Sequence, residues 1–188
     1  MIVVKLGGSL YNTPELSSWL HTLADYSQQQ AIVIVPGGGP FADQVRTAQN
    51  LHQFDDSTAH HMALLAMKQF GLMMIDLEQA CQPFDANLAH PLSIYLPDDD
   101  LLNEATLKHS WDISSDSLAL WLANKLNATQ LILVKRRIPS SQSIATLAKE
   151  QLIDQGFANL FKQQPLASSI IHYQSYHDLN AKTALTLP

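Results

Sequence analysis

Cysteine is nearly missing from this chain of 188 residues, which holds only Cys81. One thiol closes no internal disulfide and supplies no cysteine-rich zinc site. Charge is also sparse, at 15% of residues, where an ordinary soluble domain carries roughly 25%. Cations are the scarcer sign: 11 lysines and arginines face 17 aspartates and glutamates, for a net charge of −6. That balance argues against non-specific binding to nucleic acid, which relies on basic side chains neutralising phosphates. No apolar run approaches the ~20 residues needed to span a bilayer. The opening segment MIVVKLGGSL turns too early to read as a signal peptide. The expectation is a soluble, cytoplasmic protein with neither a membrane nor a nucleic acid as partner.

What is present is apolar content, 46% of the residues. That is enough for a real core and too much for a disordered chain. The length points to a single domain over residues 1–188. The β-branched run Met1–Leu6 reads as a buried strand, ended by Gly7-Gly8. Thr13 is placed to cap a helix with Pro14 at its first position, followed by Leu16, Trp19, Leu20 and Leu23 at helical spacing. Ala31–Val35 reads as a second strand, ended by Pro36-Gly37-Gly38-Gly39-Pro40. Helices are expected after it, with Phe41, Val45 and Ala48 inward, and over Asp56–Leu72. Leu92–Leu96 and Leu131–Val134 read as strands, with a helix between them carrying Leu118, Trp121, Leu122 and Leu126. Beyond a loop at 139–143, helices are expected over Ala145–Gln151 and Phe157–Gln163, and a strand over Ser169–Tyr173. Strands alternating with helices predict an α/β fold, a parallel sheet covered on both faces. Such sheets bind ligands at the carboxyl ends of their strands.

Two glycine-rich turns fall at such ends: Gly7-Gly8-Ser9 and Gly37-Gly38-Gly39. Consecutive amides in turns of this kind form anion nests, helped by a helix N-terminus. Lys5 stands two residues before the first pair, in a strand otherwise suited to burial. A lysine there is costly unless it faces an anion or a carboxylate. Asp112, Ser114, Ser115 and Asp116 stand at the start of a helix, where Asp112 or Ser114 can cap and Asp116 suits the macrodipole. The eight histidines raise metal binding, but His60 and His61 point about 100° apart on a helix and do not share one ion. No metal site is expected, and His60 or His61 is assigned to the substrate side. Trp111 is placed either to stack on a flat ring or to pack in the core. Cys81 reads as a buried free thiol.

These motifs carry a family resemblance. Val3-Val4-Lys5-Leu6-Gly7-Gly8-Ser9-Leu10 and Ile34-Val35-Pro36-Gly37-Gly38-Gly39-Pro40-Phe41-Ala42 resemble the opening of the amino acid kinase superfamily. Ser115-Asp116-Ser117-Leu118-Ala119 resembles its later aspartate motif. The run from His109 to Leu120, with His60-His61-Met62-Ala63, is most similar to the small aminomethylfuran phosphate kinases of methanofuran-type C1-carrier biosynthesis. The resemblance covers roughly residues 1–135. It implies a three-layer α/β/α sandwich with an open, mainly parallel sheet. It also implies phosphoryl transfer from ATP, whose Mg²⁺ arrives with the nucleotide, to a small phosphorylated acceptor. A homo-oligomer is implied as well.

By the same resemblance, Lys5 and Asp116 are catalytic, with Asp116 holding lysines in place. Gly7, Gly8, Ser9, Gly37, Gly38 and Gly39 bind phosphate, and Asp112, Ser115 and His60 bind the acceptor. A second lysine comes from the C-terminal half: Lys162, in Phe157-x-x-Leu160-x-Lys162, is the first candidate by spacing. Lys135, directly after a strand, is its rival and a phosphate ligand. The pattern breaks after Val134. The family's Thr-Asp-x-Asp-Gly is replaced by Lys135-Arg136-Arg137-Ile138-Pro139, and the late Asn-Gly turn by Ile170-Ile171-His172-Tyr173. The acceptor half, residues 1–127, therefore looks intact and the nucleotide half, 128–188, pared down. Three readings stay open: the three cations bind ATP in a changed geometry, another phosphoryl donor is used, or the protein is a degenerate binder or assembly subunit.

Overall fold

The computed structural model describes residues 1–88, 90–104, 107, 109–139, 141–177, 179 and 185–187; Ser140, within the expected loop, lies outside them. The elements run β1 (Ile2–Leu6), α1 (Glu15–Ser27), β2 (Ile32–Pro36), α2 (Gly39–His52), α3 (Asp56–Leu77), β3 (Gln82–Pro83), β4 (Leu92–Ile94), α4 (Ser115–Lys125), β5 (Gln130–Lys135), α5 (Ile144–Lys149), α6 (Gln155–Gln163), β6 (Ser168–His172) and β7 (Leu185–Leu187). One sheet takes them in the order β3-β4-β2-β1-β5-β6-β7. All pairings are parallel except β6 with β7.

Alternation along the strands explains the layers. Side chains two residues apart share a face of the sheet. Ile2, Val4, Leu6, Ile32, Ile34, Ile132 and Val134 pack with Trp19, Leu20 and Leu23 of α1 and with Phe70 and Met74 of α3. Val3, Val33, Val35, Leu131 and Leu133 pack on the other face with Leu118 and Leu122 of α4 and with Phe157 and Phe161 of α6. Both faces are apolar, so these strands read as continuous buried runs. The expected three-layer α/β/α sandwich is the one observed.

The expected helix start at Thr13 is displaced. The Thr13 hydroxyl donates to the Leu10 carbonyl at 3.1 Å instead of capping, and α1 begins at Glu15 after Pro14. The helix expected to end at Leu72 continues to Leu77, because Met74 is fully buried against the sheet. Cys81 is buried and free, and burial, reinforced by the charge of Glu78, pushes its thiol up to about 12.

Strand order fixes where a ligand fits. From β1 the chain steps one way to β2 and β4, then returns to the other side of β1 with β5 and β6. That reversal opens a crevice at the carboxyl ends of β1 and β5.

Candidate active site

Lys5 and Lys135 meet in that crevice because of strand register. Lys5 pairs with Leu133 across β1 and β5, so Lys135, two residues further, projects from the same face one step beyond. Asp116, in the first turn of α4, receives both. Its Oδ2 accepts from Lys135 Nζ at 2.5 Å, and Lys5 Nζ forms an ion pair with Oδ1 at 2.8 Å. Asp116 is buried at 3% exposure, and the lysine side chains are at 8% and 13%. Burial alone would push the Asp116 carboxyl up. The charges of Lys135 and Lys5 and their hydrogen bonds outweigh it and hold the group at about 2. Lys135 is pulled down to about 8, by burial first and by the neighbouring Lys5 charge, with Asp116 opposing. Two cations on one carboxylate leave the cluster with a surplus positive charge facing the crevice.

The glycine turns form the opposite wall. Gly8 and Gly39 are in backbone contact: a Cβ on Gly8 would lie 2.2 Å from the Gly39 nitrogen. Gly39 itself has a φ of +54°, a conformation that favours glycine, and it starts α2. The N-terminus of α2, with Gly38 before it and Pro40 just inside, has no side-chain cap. Its first amides are therefore available to an anion.

A second carboxylate, Asp154, organises the start of α4. Its Oδ2 accepts from the Ser114 amide at 3.0 Å, the Ser114 hydroxyl at 2.5 Å and the Ser117 amide at 3.1 Å. Its Oδ1 accepts from the Ser117 hydroxyl and from the Phe157 amide, the latter at 2.6 Å, which caps α6. One side chain thus ties the N-termini of α4 and α6 together. Residues around Asp154 gave no sequence signal for this role, since it depends on contacts some 40 residues apart.

Two cavities flank these groups. The first, about 350 Å³, is lined by Gly8, Ser9, Gly38 and Gly39, by Ser115 at the start of α4, and by His60 of α3. The second, about 600 Å³, is lined by Lys5, Asp116, Lys135 and Asp112 and by residues of the α5–α6 junction. Arg46, Trp111 and Ser114 belong to both. Gly7 and Gly37 line neither. They stand behind the walls, where the Gly37 amide donates to the Leu6 carbonyl at 2.8 Å. Asp112, expected with the acceptor groups, lies on the Lys5 side and is exposed.

Lys162 is not brought to the site. It is exposed in the last turn of α6, whereas only the first residue of that helix, Gln155, lines the second cavity. Seven residues of helix separate the two positions by about 10 Å. Of the basic run 135–137, Lys135 ends β5 and faces inward, while Arg136 and Arg137 are exposed. Arg136 lies over the Tyr173 ring and Arg137 donates to the Glu150 carbonyl.

His60 is buried, and its ring stacks on His109 at 5.2 Å. Burial, followed by the charges of His109 and His61, lowers its pKa, so the ring is neutral at pH 7. Its Nε2 has no hydrogen-bond partner among the described residues. His61 turns away to Asp99, at 2.9 Å. Among the described residues no three His, Cys, Asp or Glu side chains converge in a metal-holding group. Nor is any described helix long and apolar enough to cross a membrane.

Residues 1–85 match the model of the amino acid kinase family. The chain is 31% identical to the [5-(aminomethyl)furan-3-yl]methyl phosphate kinase of Methanocaldococcus jannaschii; the match takes in 71% of this chain and 64% of that protein. It therefore spans just under two thirds of the relative's length. Among solved structures, the uridylate kinase of Archaeoglobus fulgidus superposes with a TM-score of 0.67 at 15% identity, covering 91% of this chain and 90% of that one. The UMP kinase of Ureaplasma parvum gives 0.60 at 14% identity, covering 97% and 91%. The first 85 residues thus resemble the amino acid kinase family, and the chain as a whole shares the fold of these two solved kinases.

Proposed function

We propose that the protein is a kinase that moves a phosphoryl group from ATP to a small phosphorylated acceptor, an aminomethylfuran phosphate, giving a diphosphate. The observation that carries this reading is the Lys5–Asp116–Lys135 cluster, which lines the second cavity at the ends of β1 and β5, beside the glycine-walled first one. The named activity of the 31% identical relative supports the choice of acceptor.

In this reading an oxygen of the acceptor phosphate attacks the γ-phosphorus. The bond to the β–γ bridging oxygen breaks, and its electron pair stays on ADP. An ionised phosphate acceptor has no proton to lose, so no general base is needed. Catalysis is then positioning and charge stabilisation. Lys5 and Lys135 neutralise the phosphates, and Asp116 holds the two ammonium groups apart and aimed. The amides of Gly8 and Gly38 and the first turn of α2 cradle the transferring group. A single such donor is worth on the order of 10²–10³ in rate.

Magnesium fits as an ion carried by the nucleotide. Asp116 is occupied by two lysines and Asp154 by five donors, which leaves the exposed Asp112 as the carboxylate of that cavity nearest to hand. An ion that keeps most of its waters needs no more. When bound, it would supply charge neutralisation on the polyphosphate.

The altered run Lys135-Arg136-Arg137 favours a second reading, a chain that binds a phosphorylated metabolite without transferring to it. Titration calorimetry with ATP–Mg²⁺ separates the two, followed by turnover with [5-(aminomethyl)furan-3-yl]methyl phosphate. Micromolar-to-millimolar nucleotide affinity and formation of a diphosphate are expected. No binding at millimolar ATP would sink the kinase and leave the binder.

A further inference from the structure

Two cavities joined at a common boundary need something to hold the acceptor at the join, and Lys5 and Lys135, held by Asp116, line only the second of them. Among the described residues, Arg46 is the one lysine or arginine that lines the first cavity, and it lines the second as well. It stands on α2, with its guanidinium carbon 4.3 Å from the centre of the Trp111 ring. Trp111 is itself held: its indole N–H donates to Gln49 Oε1 at 2.7 Å. Gln49 is fixed in turn, its amide donating to the Phe54 carbonyl and to Asp56 Oδ1. The ring therefore sets the plane of the guanidinium from one side, and the guanidinium edge meets the exposed carboxylate of Asp43.

We propose that Arg46, oriented by Trp111, is the ligand of the acceptor's own phosphate, and that this pair selects a phosphate monoester over the corresponding alcohol. The proposal rests on the kinase reading above and adds the group that decides its acceptor class. An arginine fork matches two phosphate oxygens at once and neutralises the charge that would repel an incoming polyphosphate. The third oxygen is left to attack. Release of Arg46 is cheap, because its ion pair with Asp43, at 3.1 Å, is a surface pair whose carboxylate is 70% exposed. Ser114, the other polar residue at the boundary, is tied to Asp154 through both its amide and its hydroxyl.

The test is calorimetry on the full chain, with [5-(aminomethyl)furan-3-yl]methyl phosphate, its dephosphorylated alcohol and ATP–Mg²⁺ titrated separately. Arg46→Ala is expected to weaken the phosphate ester by about 100-fold, the loss of two charge-assisted hydrogen bonds. Binding of the alcohol and of ATP–Mg²⁺ should change by less than about threefold, since neither uses the acceptor-phosphate position. Arg46→Lys should recover only part of the loss, because a point charge replaces the fork. Trp111→Leu should cost the ester about tenfold. Melting should be nearly unchanged in Arg46→Ala, whose side chain is 51% exposed.

An unchanged ester affinity in Arg46→Ala overturns the proposal, as does an equal loss for ester and alcohol. A wild-type chain that binds neither the ester nor inorganic phosphate at millimolar concentration overturns it too. Arg46-dependent ester binding without any nucleotide turnover upholds this assignment while defeating the kinase. Turnover that persists in Arg46→Ala with an unchanged acceptor KM does the reverse.

Discussion

On the β2 side of β1, two glycine turns are packed so closely that Gly8 has no room for a Cβ, and the wall they form is backbone. On the β5 side the wall is made of side chains: Lys135, Asp116, Asp154, Ser114 just before α4 and Ser117 within it. Backbone donors are fixed by the fold and indifferent to pH. Side-chain donors are paired, buried and titratable. The first wall is therefore a passive cradle, and the second is where charge is set. This difference also explains how the proposed phosphate site is compatible with the replaced acidic motif that ends β5. Lys135 reaches Asp116 from the sheet itself, so the cluster does not depend on the loop that follows.

The largest effect should come from dividing the charged wall. Lys5→Ala is expected to cut turnover roughly a thousandfold, as loss of a transition-state charge donor does. It should leave the melting temperature almost unmoved, because Asp116 keeps Lys135. Asp116→Asn should do the opposite on stability: Lys5 and Lys135 then face each other with no carboxylate between them. Removing one partner of a buried ionic group costs on the order of 3 kcal/mol, which urea unfolding will read. If Lys5→Ala unfolds and Asp116→Asn does not, the carboxylate is not what holds the wall.

Next in size is the carboxylate that shapes this wall without touching the lysines. Asp154→Ala orphans the Ser114 and Ser117 amides and uncaps α6, a loss of about 2 kcal/mol. Turnover should fall about tenfold through misplacement of Asp116, with nucleotide KM nearly constant. Asp154→Asn, which retains one acceptor oxygen, should restore part of both. A rise in nucleotide KM with constant kcat would instead put Asp154 against the substrate.

Acid and alkali probe two groups of the charged wall and leave the backbone wall untouched. Asp116 has its folded value at about 2, below the unfolded 3.8. Its contribution to stability is complete above about pH 4 and is lost as pH falls toward 2. Lys135 has its folded value at about 8, below the unfolded 10.5. Between those values the unfolded chain binds more protons, so stability from this group rises with pH while its charge in the site is lost. Nucleotide kcat/KM should accordingly decline above about pH 8 as unfolding becomes harder. Lys135→Met should flatten both slopes. A wild-type rate profile level to pH 10 would show that Lys135 carries no charge the reaction uses.

The backbone wall was the legible one. Gly7-Gly8-Ser9 and Gly37-Gly38-Gly39 announce themselves because each is a local run at the end of an apolar strand, and the layers followed from strands alternating with helices. The charged wall was legible only in pieces. Lys5 and Asp116 stood out by local pattern. That Lys135 shares a face with Lys5 depends on β1 and β5 being neighbours, and alternation along one strand does not say which strand lies beside it. Arg46 carries no local signal, and that of Asp154 extends only to capping α6. Their roles come from contacts across 37 to 65 residues, such as Ser117 with Asp154 and Arg46 with Trp111.

The smallest expected effect is the sharpest on this point. Spacing along the sequence favours Lys162 as the second lysine, while register across the sheet favours Lys135. Lys162 lies in the exposed last turn of α6, about 10 Å along the axis from the residue that lines the cavity. Its ammonium is solvated there and suits the negative end of the helix dipole, a contribution of about 0.3–1 kcal/mol at most. Lys162→Ala should therefore change turnover and nucleotide KM by less than about twofold, with a melting shift of a degree or two. Lys135→Ala should lower turnover on the order of a hundredfold. Equal losses from the two variants would mean that α6 moves to bring Lys162 inward when nucleotide binds, and that the charged wall is assembled by the substrate instead of by the sheet.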